Sequence, residues 1–215
     1  MGAMMTLKKV IMIEFPDPEK ADANGLLATG GDLAPETLIA AYRKGIFPWY
    51  EAGGPILWWS PDPRMVLFPD DFHCSRRLAR RIRQGRFRIS ENTAFDDVMR
   101  ACTTREEGSW ITPGMIAAYT RLFELGHARS VEVWEGDTLA GGLYGINIGR
   151  AFFAESMFHT RTDTSKMAVA YLVEKAQQNG WIFIDCQFYT EHLASLGAIE
   201  IPRNEFLHLL DRALT

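Results

Sequence analysis

The chain has 215 residues, 47% of them hydrophobic, enough for one medium-sized domain, or one domain with a smaller appendage, around a real core. Its net charge of −4 argues on average against a nucleic-acid binder, and its three cysteines, without paired spacing, predict neither a disulfide framework nor a zinc knuckle. We expect no signal peptide and no transmembrane helix, because no long apolar run with a cleavage site is visible, and we expect a cytoplasmic protein.

The N-terminal part of the chain is dense in glycine, proline and tryptophan. The one clear helix there spans 35–44, where Leu38 and Tyr42 lie on an apolar stripe. The remainder predicts loops and short strands. We therefore predict a small N-terminal domain over 1–63 and a second domain over 64–215.

A short basic segment contrasts with the acidic average. Ser75 is a suitable N-cap, and Gly85 a suitable stop, for a helix between them. Seven arginines without an intervening acid fall on or just after this helix: Arg76, Arg77, Arg80, Arg81, Arg83, Arg86 and Arg88. A solvated surface is the usual role of a charge run, but these side chains repel each other, and the arginine fork suits phosphate. We therefore favour contact with an RNA backbone, and assign it to Arg76, Arg77, Arg80, Arg81 and Arg83.

The rest of the chain predicts strands and helices in an order that is typical of an α+β fold. Strands are expected at 64–68, 87–89, 128–134, 139–148, 151–158 and 181–187, and helices at 95–101, 112–125, 164–179, 192–196 and 203–213. A hairpin meander, a helical crossover and another strand also fit, by pattern alone, an acetyltransferase-like (GNAT-type) domain. Such a domain has a mixed, mostly antiparallel sheet flanked by helices.

Polar residues interrupt the predicted strand 181–187. Because side chains alternate along a strand, Asp185 and Gln187 should lie on one face, roughly 6.6 Å apart and close enough to act on one substrate. The alternative is a pair that only ties down a loop. Cys186 falls on the opposite, aliphatic face, where a core role is expected.

The strand 151–158 places a carboxylate among apolar side chains. Phe153, Glu155 and Met157 should share one face, which suggests an apolar pocket with one polar group, typical of a small-molecule site. A buried glutamate paired with an arginine or a lysine is the alternative.

Three aromatic residues are candidates for stacking. Trp110 precedes a predicted helix on which Tyr119 lies, and Trp49 belongs to the N-terminal part. Exposed aromatic rings are platforms for nucleobases, although most aromatic residues in such a chain pack in the core. The five histidines have no metal-ligand spacing, so no metal site is predicted.

Many of these segments together resemble one family, the leucyl/phenylalanyl-tRNA–protein transferases of bacteria. The similar motifs run in one order from Asn24 to about Arg203. They include Gly30-Gly31-Asp32-Leu33, Gly45-Ile46-Phe47-Pro48-Trp49, Trp58-Trp59-Ser60-Pro61-Asp62-Pro63-Arg64, Arg105-Glu106-Glu107-Gly108, Trp110-Ile111-Thr112, Glu155-Ser156-Met157-Phe158 and Ile184-Asp185-Cys186-Gln187.

The resemblance implies a reaction. A Leu or Phe residue moves from its tRNA ester to the α-amino group of a protein that begins with Arg or Lys, and creates an N-terminal degradation signal. Because an apolar pocket separates near-isosteres poorly, Met should be a poor third donor. The ester is already activated, so we expect no cofactor, neither ATP nor a metal. The expected partners are Leu-tRNA, Phe-tRNA and the acceptor proteins, with no DNA and no membrane. The site of the family corresponds here to Trp49, Trp110, Tyr119, Glu155, Asp185 and Gln187.

Each residue then has an expected role. Asp185 polarises Gln187, which accepts a hydrogen bond from the attacking amine. The terminal adenosine stacks on Trp110, and the Leu or Phe side chain fills a pocket lined by Phe153 and Met157, with Leu143 or Ile184 as possible neighbours. Glu155 helps to hold the cationic acceptor end, and the arginine helix contacts the acceptor-stem backbone.

Two other functions are compatible with parts of the sequence. An acyl-CoA-dependent N-acetyltransferase would share the fold, but Asp163-Thr164-Ser165-Lys166 does not supply the Arg-x-x-Gly-x-Gly loop of that class. A non-catalytic RNA-binding module would make the alignment of Asp185 and Gln187 incidental.

Overall fold

The computed structural model describes residues 14–104 and 110–215. The helices, besides two short 3-10 turns, are α1 (Pro35–Tyr42), α2 (Arg76–Arg83), α3 (Phe95–Cys102), α4 (Pro113–Glu124), α5 (Thr164–Gln178), α6 (Glu191–Ala194) and α7 (Arg203–Leu214). The strands are β1 (Leu26–Thr29), β2 (Phe47–Pro48), β3 (Leu57–Trp59), β4 (Arg64–Leu67), β5 (Arg88–Glu91), β6 (Ala128–Glu135), β7 (Thr138–Ile148), β8 (Ala151–His159), β9 (Phe183–Gln187) and β10 (Ile199–Ile201). The sequence predicts most of these elements within a few residues. It gives no bounds for the short strands β1, β2 and β3, and it does not predict β10.

A seven-stranded sheet, in the order β10-β4-β9-β8-β7-β6-β5, organises the molecule. All neighbouring strands in it are antiparallel except β8 and β9, which are parallel and joined by the crossover helix α5. A smaller sheet, β1-β3-β2, precedes it. The prediction of an α+β fold with a mixed, mostly antiparallel sheet flanked by helices is confirmed.

The large sheet separates two hydrophobic cores. The first core contains Phe153 and Tyr144 and lies under α1, α3, α4 and α7. The second contains Phe152 and Leu143 and lies under α2 and α5. Residues of the N-terminal part, such as Tyr42, pack into the first core together with residues of the large sheet. A domain boundary between residues 63 and 64 remains a prediction.

The parallel strands β8 and β9 separate along their length. They pair from Ala151 opposite Phe183 to Phe153 opposite Asp185, and a cleft opens beyond the last pair. The pairing of β7 with β8 also shifts register at this point, so that Glu155 is an extra residue in β8. The fold therefore places two polar strand segments at the opening of one cleft.

Two local features determine the helix that carries the arginines. The Ser75 hydroxyl accepts a hydrogen bond from the Leu78 amide at 3.2 Å, as an N-cap does. Leu78 is buried against the second core, and Gly85 adopts a positive φ of 66° just beyond the helix. Both predicted helix signals are confirmed. Within the described residues, no helix is long and apolar enough to cross a membrane.

Candidate active site

The cleft between β8 and β9 has a volume of about 1110 Å³. Five of the residues singled out by the sequence line it: Trp49, Trp110, Glu155, Met157 and Gln187. They come from the loop after β2, the segment before α4, and the ends of β8 and β9. The topology therefore brings together residues that are up to 138 positions apart, from Trp49 to Gln187 (187 − 49). This volume is large enough for a substrate of several chemical groups.

Asp185 lies beside this cleft in a fully buried ion pair. Arg64 Nε donates to Asp185 Oδ1 at 2.8 Å, and Arg64 Nη2 donates to Asp185 Oδ2 at 2.6 Å. Both side chains have 0% solvent exposure. The Arg64 guanidinium also packs against the rings of Phe47 and Phe206, at 4.8 and 4.4 Å from their centroids. This fork fixes the Asp185 carboxylate in one orientation.

Gln187 ends β9 in a left-handed conformation with a φ of 59°. Its backbone amide donates to Asp185 Oδ1 at 3.0 Å, so that the carboxylate holds the turn. Its side chain is only 8% exposed and lines the cleft. Among the described residues, the side-chain Nε2 atom has no hydrogen-bond partner. The link between Asp185 and Gln187 is therefore made through the backbone, whereas strand alternation had suggested two side chains that point together.

Glu155 is half-buried and held by two tyrosines. The Tyr42 hydroxyl donates to Oε1 at 2.7 Å, and the Tyr119 hydroxyl donates to Oε2 at 3.1 Å. Burial is the main reason that the pKa of Glu155 rises from 4.5 to about 7, against the lowering effect of the two hydroxyls. Burial also raises the pKa of both tyrosines, which therefore stay protonated. The alternative of a glutamate paired with an arginine or lysine is wrong, because tyrosines occupy the two oxygens.

The register shift at Glu155 corrects the predicted face of β8. Phe153 is completely buried in the first core, where its ring lies 5.1 Å from that of Tyr42, and it does not line the cleft. Met157 packs with the second core and does line the cleft. Because Glu155 is an extra residue, the alternation of side chains between the two faces changes at this point, and Phe153 and Met157 lie on opposite faces of the sheet. Leu143 and Ile184, the expected neighbours, line the cleft together with Met157.

The aromatic candidates have different environments. Trp49 is 41% exposed, and its ring lies 5.3 Å from that of Phe188 and 5.5 Å from that of Trp59. Trp110 is half-buried at the cleft. Tyr119 is fully buried, so it offers no open ring for a base and instead holds Glu155. The expectation of a stacking platform is therefore wrong for Tyr119.

The arginine helix α2 divides into two groups. Arg77 donates to Asp163 Oδ1 at 2.8 Å, and Arg81 donates to the Thr162 carbonyl oxygen at 2.6 Å, which joins α2 to the start of α5. The other three arginines are exposed and form no ion pair with a described residue: Arg76, Arg80 and Arg83. Three arginines of α2 are thus free to bind an external anion, whereas the sequence predicts RNA contact for five.

Comparison with known proteins decides the family. The family profile described as leucyl/phenylalanyl-tRNA protein transferase matches residues 66–211, and the profile of its N-terminal domain matches residues 31–62. A leucyl/phenylalanyl-tRNA–protein transferase of Anaeromyxobacter sp. (strain Fw109-5) is 56% identical over 206 residues, which cover 94% of this chain and 88% of the relative. The chain belongs to this family.

A second relative of the transferase family is nearly as similar. The protein of Legionella pneumophila (strain Corby) that carries the same name is 52% identical over 203 residues, covering 93% of this chain and 91% of the relative. This family member is therefore an enzyme, an aminoacyltransferase, as the sequence motifs predict, and the acyl-CoA alternative is not favoured.

Solved structures are less similar to this transferase. A conserved protein of unknown function from Bacteroides thetaiotaomicron matches with a TM-score of 0.48 and 9% identity, over 72% of this chain and 56% of that chain. A likeness at this level does not assign a fold family.

Sequence reasoning missed two residues of the candidate site. Arg64 ends the Trp58–Arg64 motif, and its pattern predicts only a strand, although an arginine within a short apolar strand is a signal that a buried acid must pair with it. Tyr42 was assigned to the apolar stripe of α1, and nothing in the local pattern indicates its hydroxyl contact with Glu155. The Arg105-Glu106-Glu107-Gly108 motif lies outside the described residues.

Proposed function

We propose that this chain transfers Leu or Phe, and Met less well, from aminoacyl-tRNA to the α-amino group of proteins that begin with Arg or Lys. The observation that carries the proposal is the composition of the cleft, which combines an apolar wall with a carboxylate and an unpartnered amide. The family supplies the reaction class. The product carries a new N-terminal residue that serves as a degradation signal.

The apolar wall is suited to the transferred side chain. Leu143, Met157 and Ile184 converge on it, and α5 adds Val169 and Leu172. A pocket of this kind rejects a charged side chain strongly, because the charge would lose its hydration. It separates similar apolar side chains weakly, which agrees with the use of both Leu and Phe.

The acceptor amine is best placed at Glu155. This carboxylate carries a partial negative charge near neutral pH, because its pKa is about 7. An α-amino group has a pKa of about 7.7–8.0, so a base of similar proton affinity is sufficient to remove its proton. The amine nitrogen bonds to the ester carbonyl carbon, the bond from that carbon to the ribose oxygen breaks, and the proton passes from the amine through Glu155 to that oxygen.

The role of Gln187 is revised by its contacts. Asp185 is already bound by Arg64 and by the Gln187 backbone amide, which supports a positioning role for Asp185. The free Nε2 of Gln187 is a donor at the cleft wall. We assign it to the ester carbonyl oxygen, whose negative charge grows during attack. In this scheme Gln187 is a donor to the ester, whereas the sequence-based hypothesis made it an acceptor from the amine.

The tRNA is expected to follow the exposed cations and aromatic rings. Arg76, Arg80 and Arg83 are free to contact phosphates. Trp110 at the cleft is available to stack with the terminal adenosine, and Trp49 widens this aromatic surface. Specificity then depends on the amino acid and the terminal adenosine.

The finer description of the fold belongs to the same proposal. The separation of the parallel strands β8 and β9 next to a crossover helix supports an acetyltransferase-like domain. Because charged tRNA is a cytoplasmic substrate, we also propose that the protein acts in the cytoplasm.

A transfer assay tests the proposal. The protein is incubated with tRNA that carries labelled Phe and with matched peptides that begin with Arg or with Ala. Label on the Arg peptide alone is the expected result. Acetylation of the same peptide from acetyl-CoA, with no transfer from tRNA, would instead establish the acyl-CoA function. Binding of tRNA with no product in either reaction would leave the RNA-binding module.

A further inference from the structure

A second, smaller cavity lies on the α5 side of the large sheet, and it shares few residues with the cleft. Its volume is about 270 Å³. Strands β5, β6 and β7 contribute Glu91, Arg129 and Asn147, and the end of α5 contributes Lys175. The cavity is bounded by both ionic and amide groups, unlike the apolar wall of the cleft.

The two cations of this cavity are not fully paired with anions among the described residues. Arg129 Nη1 donates to Glu91 Oε1 at 3.0 Å, but the buried Nε of Arg129 has no hydrogen-bond partner among the described residues. Lys175 is half-buried and forms no ion pair with a described residue. Its Nζ lies 3.5 Å from Gln178 Oε1 and 5.3 Å from the centre of the Tyr171 ring. Leaving the buried Arg129 Nε in this state has a free-energy cost, unless another group binds it.

The charges and the walls define the ligand. Arg129 and Lys175 line the cavity with one carboxylate, Glu91, so the cavity carries an excess of one positive charge. Phe152 and Trp181 also line the cavity, and their rings stack on each other with centres 5.4 Å apart and planes at 6°. The volume is slightly below the range of about 300–1,000 Å³ that is usual for drug-sized ligands, so the occupant must be small.

We propose that this cavity is a second ligand site, which binds a small molecule through a single oxyanion group, a phosphate or a carboxylate. The oxyanion lies between Arg129 Nε and Lys175 Nζ, where it satisfies both donors and neutralises the excess charge. Any apolar part of the ligand packs against Phe152 and Trp181. The site is separate from the proposed transfer chemistry and does not depend on it.

Calorimetric titration of the full-length chain with inorganic phosphate and, separately, with succinate tests this site. The arginine helix also attracts anions, so the titrations use a variant in which Arg76, Arg80 and Arg83 are all glutamine. At least one probe is expected to bind saturably in the millimolar range. Binding of phosphate alone assigns a phosphate ligand, and binding of succinate alone assigns a carboxylate ligand.

Two further substitutions locate the binding. Arg129→Gln and Lys175→Gln, each in this background, should weaken the affinity about tenfold, because each removes a charge-assisted hydrogen bond. Lys175→Gln leaves the pair of Glu91 and Arg129 intact and so guards against loss of the fold. Arg121→Gln, an exposed cation on α4, is the matched control and should change nothing. Absence of binding by both probes, or affinity that is unchanged in both variants, would overturn the proposal.

Discussion

Arg64 and Asp185, 121 residues apart in the sequence, form a two-pronged ion pair in which neither side chain is exposed to solvent. The pair connects β4 to β9 and continues through Asp185 Oδ1 to the backbone of Gln187. The orientation of an amide at the cleft therefore depends on a buried charge pair outside the cleft.

Removal of one member of this pair should destabilise the fold more than removal of both. Asp185→Ala leaves a buried guanidinium without its counter-charge, and should lower the free energy of unfolding by about 3–5 kcal/mol in urea titrations. The double variant Arg64→Met/Asp185→Leu should recover most of this stability, because apolar side chains replace both charges. Transfer activity should remain low in the double variant, since Gln187 loses its anchor. Recovery of activity together with stability would contradict the positioning role of the pair.

Gln187→Glu distinguishes a donor from an acceptor at the same position. If Nε2 donates to the ester oxygen, an ionised glutamate cannot replace it, and kcat should fall about 10²–10³-fold, as in the loss of one oxyanion donor. Relative to the parent protein at the same pH, part of the activity should return as the pH is lowered, because the new side chain becomes protonated and can donate. Gln187→Ala should be similarly slow without this acid recovery. A Gln187→Glu variant as fast as the parent protein would support the acceptor role instead.

Glu155→Gln should change the pH dependence of transfer. In the parent protein, kcat/KM should rise as Glu155 ionises near its pKa of about 7. The variant should lose this inflection and keep only that of the acceptor amine, with a lower maximal rate. Rates measured from pH 5.5 to 9 with one Arg peptide make the comparison. An unchanged profile would exclude Glu155 as the proton acceptor.

The same substitution should change stability with a defined sign. Folding raises the pKa of Glu155, so between pH 4.5 and about 7 the folded state retains a proton that the unfolded state releases. Stability from this group is therefore complete below pH 4.5 and decreases as the pH rises through 7. The decrease is at most roughly 3 kcal/mol for a shift of this size. The unfolding free energy of Glu155→Gln, relative to the parent protein, should increase over this window, as urea titrations at several pH values can measure.

Met157→Ala should affect the donor amino acid selectively. The substitution removes apolar surface from the cleft wall and leaves a gap beside the transferred side chain. The KM for Phe-tRNA and Leu-tRNA should therefore rise, by a factor that corresponds to about 1–3 kcal/mol. Met65→Ala is a matched control, because Met65 is buried in the same core but does not line the cleft. The control should lower thermal stability with little change in KM. Equal effects of both variants on KM would argue against the proposed pocket.

The exposed group on α2 should determine the salt dependence of tRNA binding. Replacement of Arg76, Arg80 and Arg83 by glutamine should weaken tRNA binding. It should also make the plot of log K against log salt concentration less steep by roughly 2–3, because each phosphate contact that is lost leaves its counterions bound to the tRNA. Arg121→Gln, on α4, should leave the slope unchanged. Filter binding at several salt concentrations provides the slopes, and an unaltered slope in the triple variant would place the tRNA elsewhere.

Local signals in the sequence predict most of the elements. Ser75 and Gly85 define α2 because capping depends on a few neighbouring residues. The period-2 and period-3.6 patterns similarly give the long strands and α5. Strand β10 is only three residues long, Ile199–Ile201, and is too short for such a pattern.

The geometry of the site depends on contacts that local patterns do not contain. One extra residue at Glu155 places Phe153 and Met157 in different cores, and strict alternation cannot indicate it. The partner of Asp185 lies 121 residues away. Gln187 has a left-handed φ, so the backbone leaves the strand geometry at this residue. Strand alternation therefore does not predict the direction of its side chain.

A crystal structure with a non-hydrolysable aminoacyl-adenosine analogue that carries Phe tests the central claim most directly. The account predicts the phenyl ring against Leu143, Met157 and Ile184, the adenine on Trp110, and the carbonyl oxygen within hydrogen-bond distance of Gln187 Nε2. Density for the analogue at another surface, with the space between β8 and β9 empty, would contradict it.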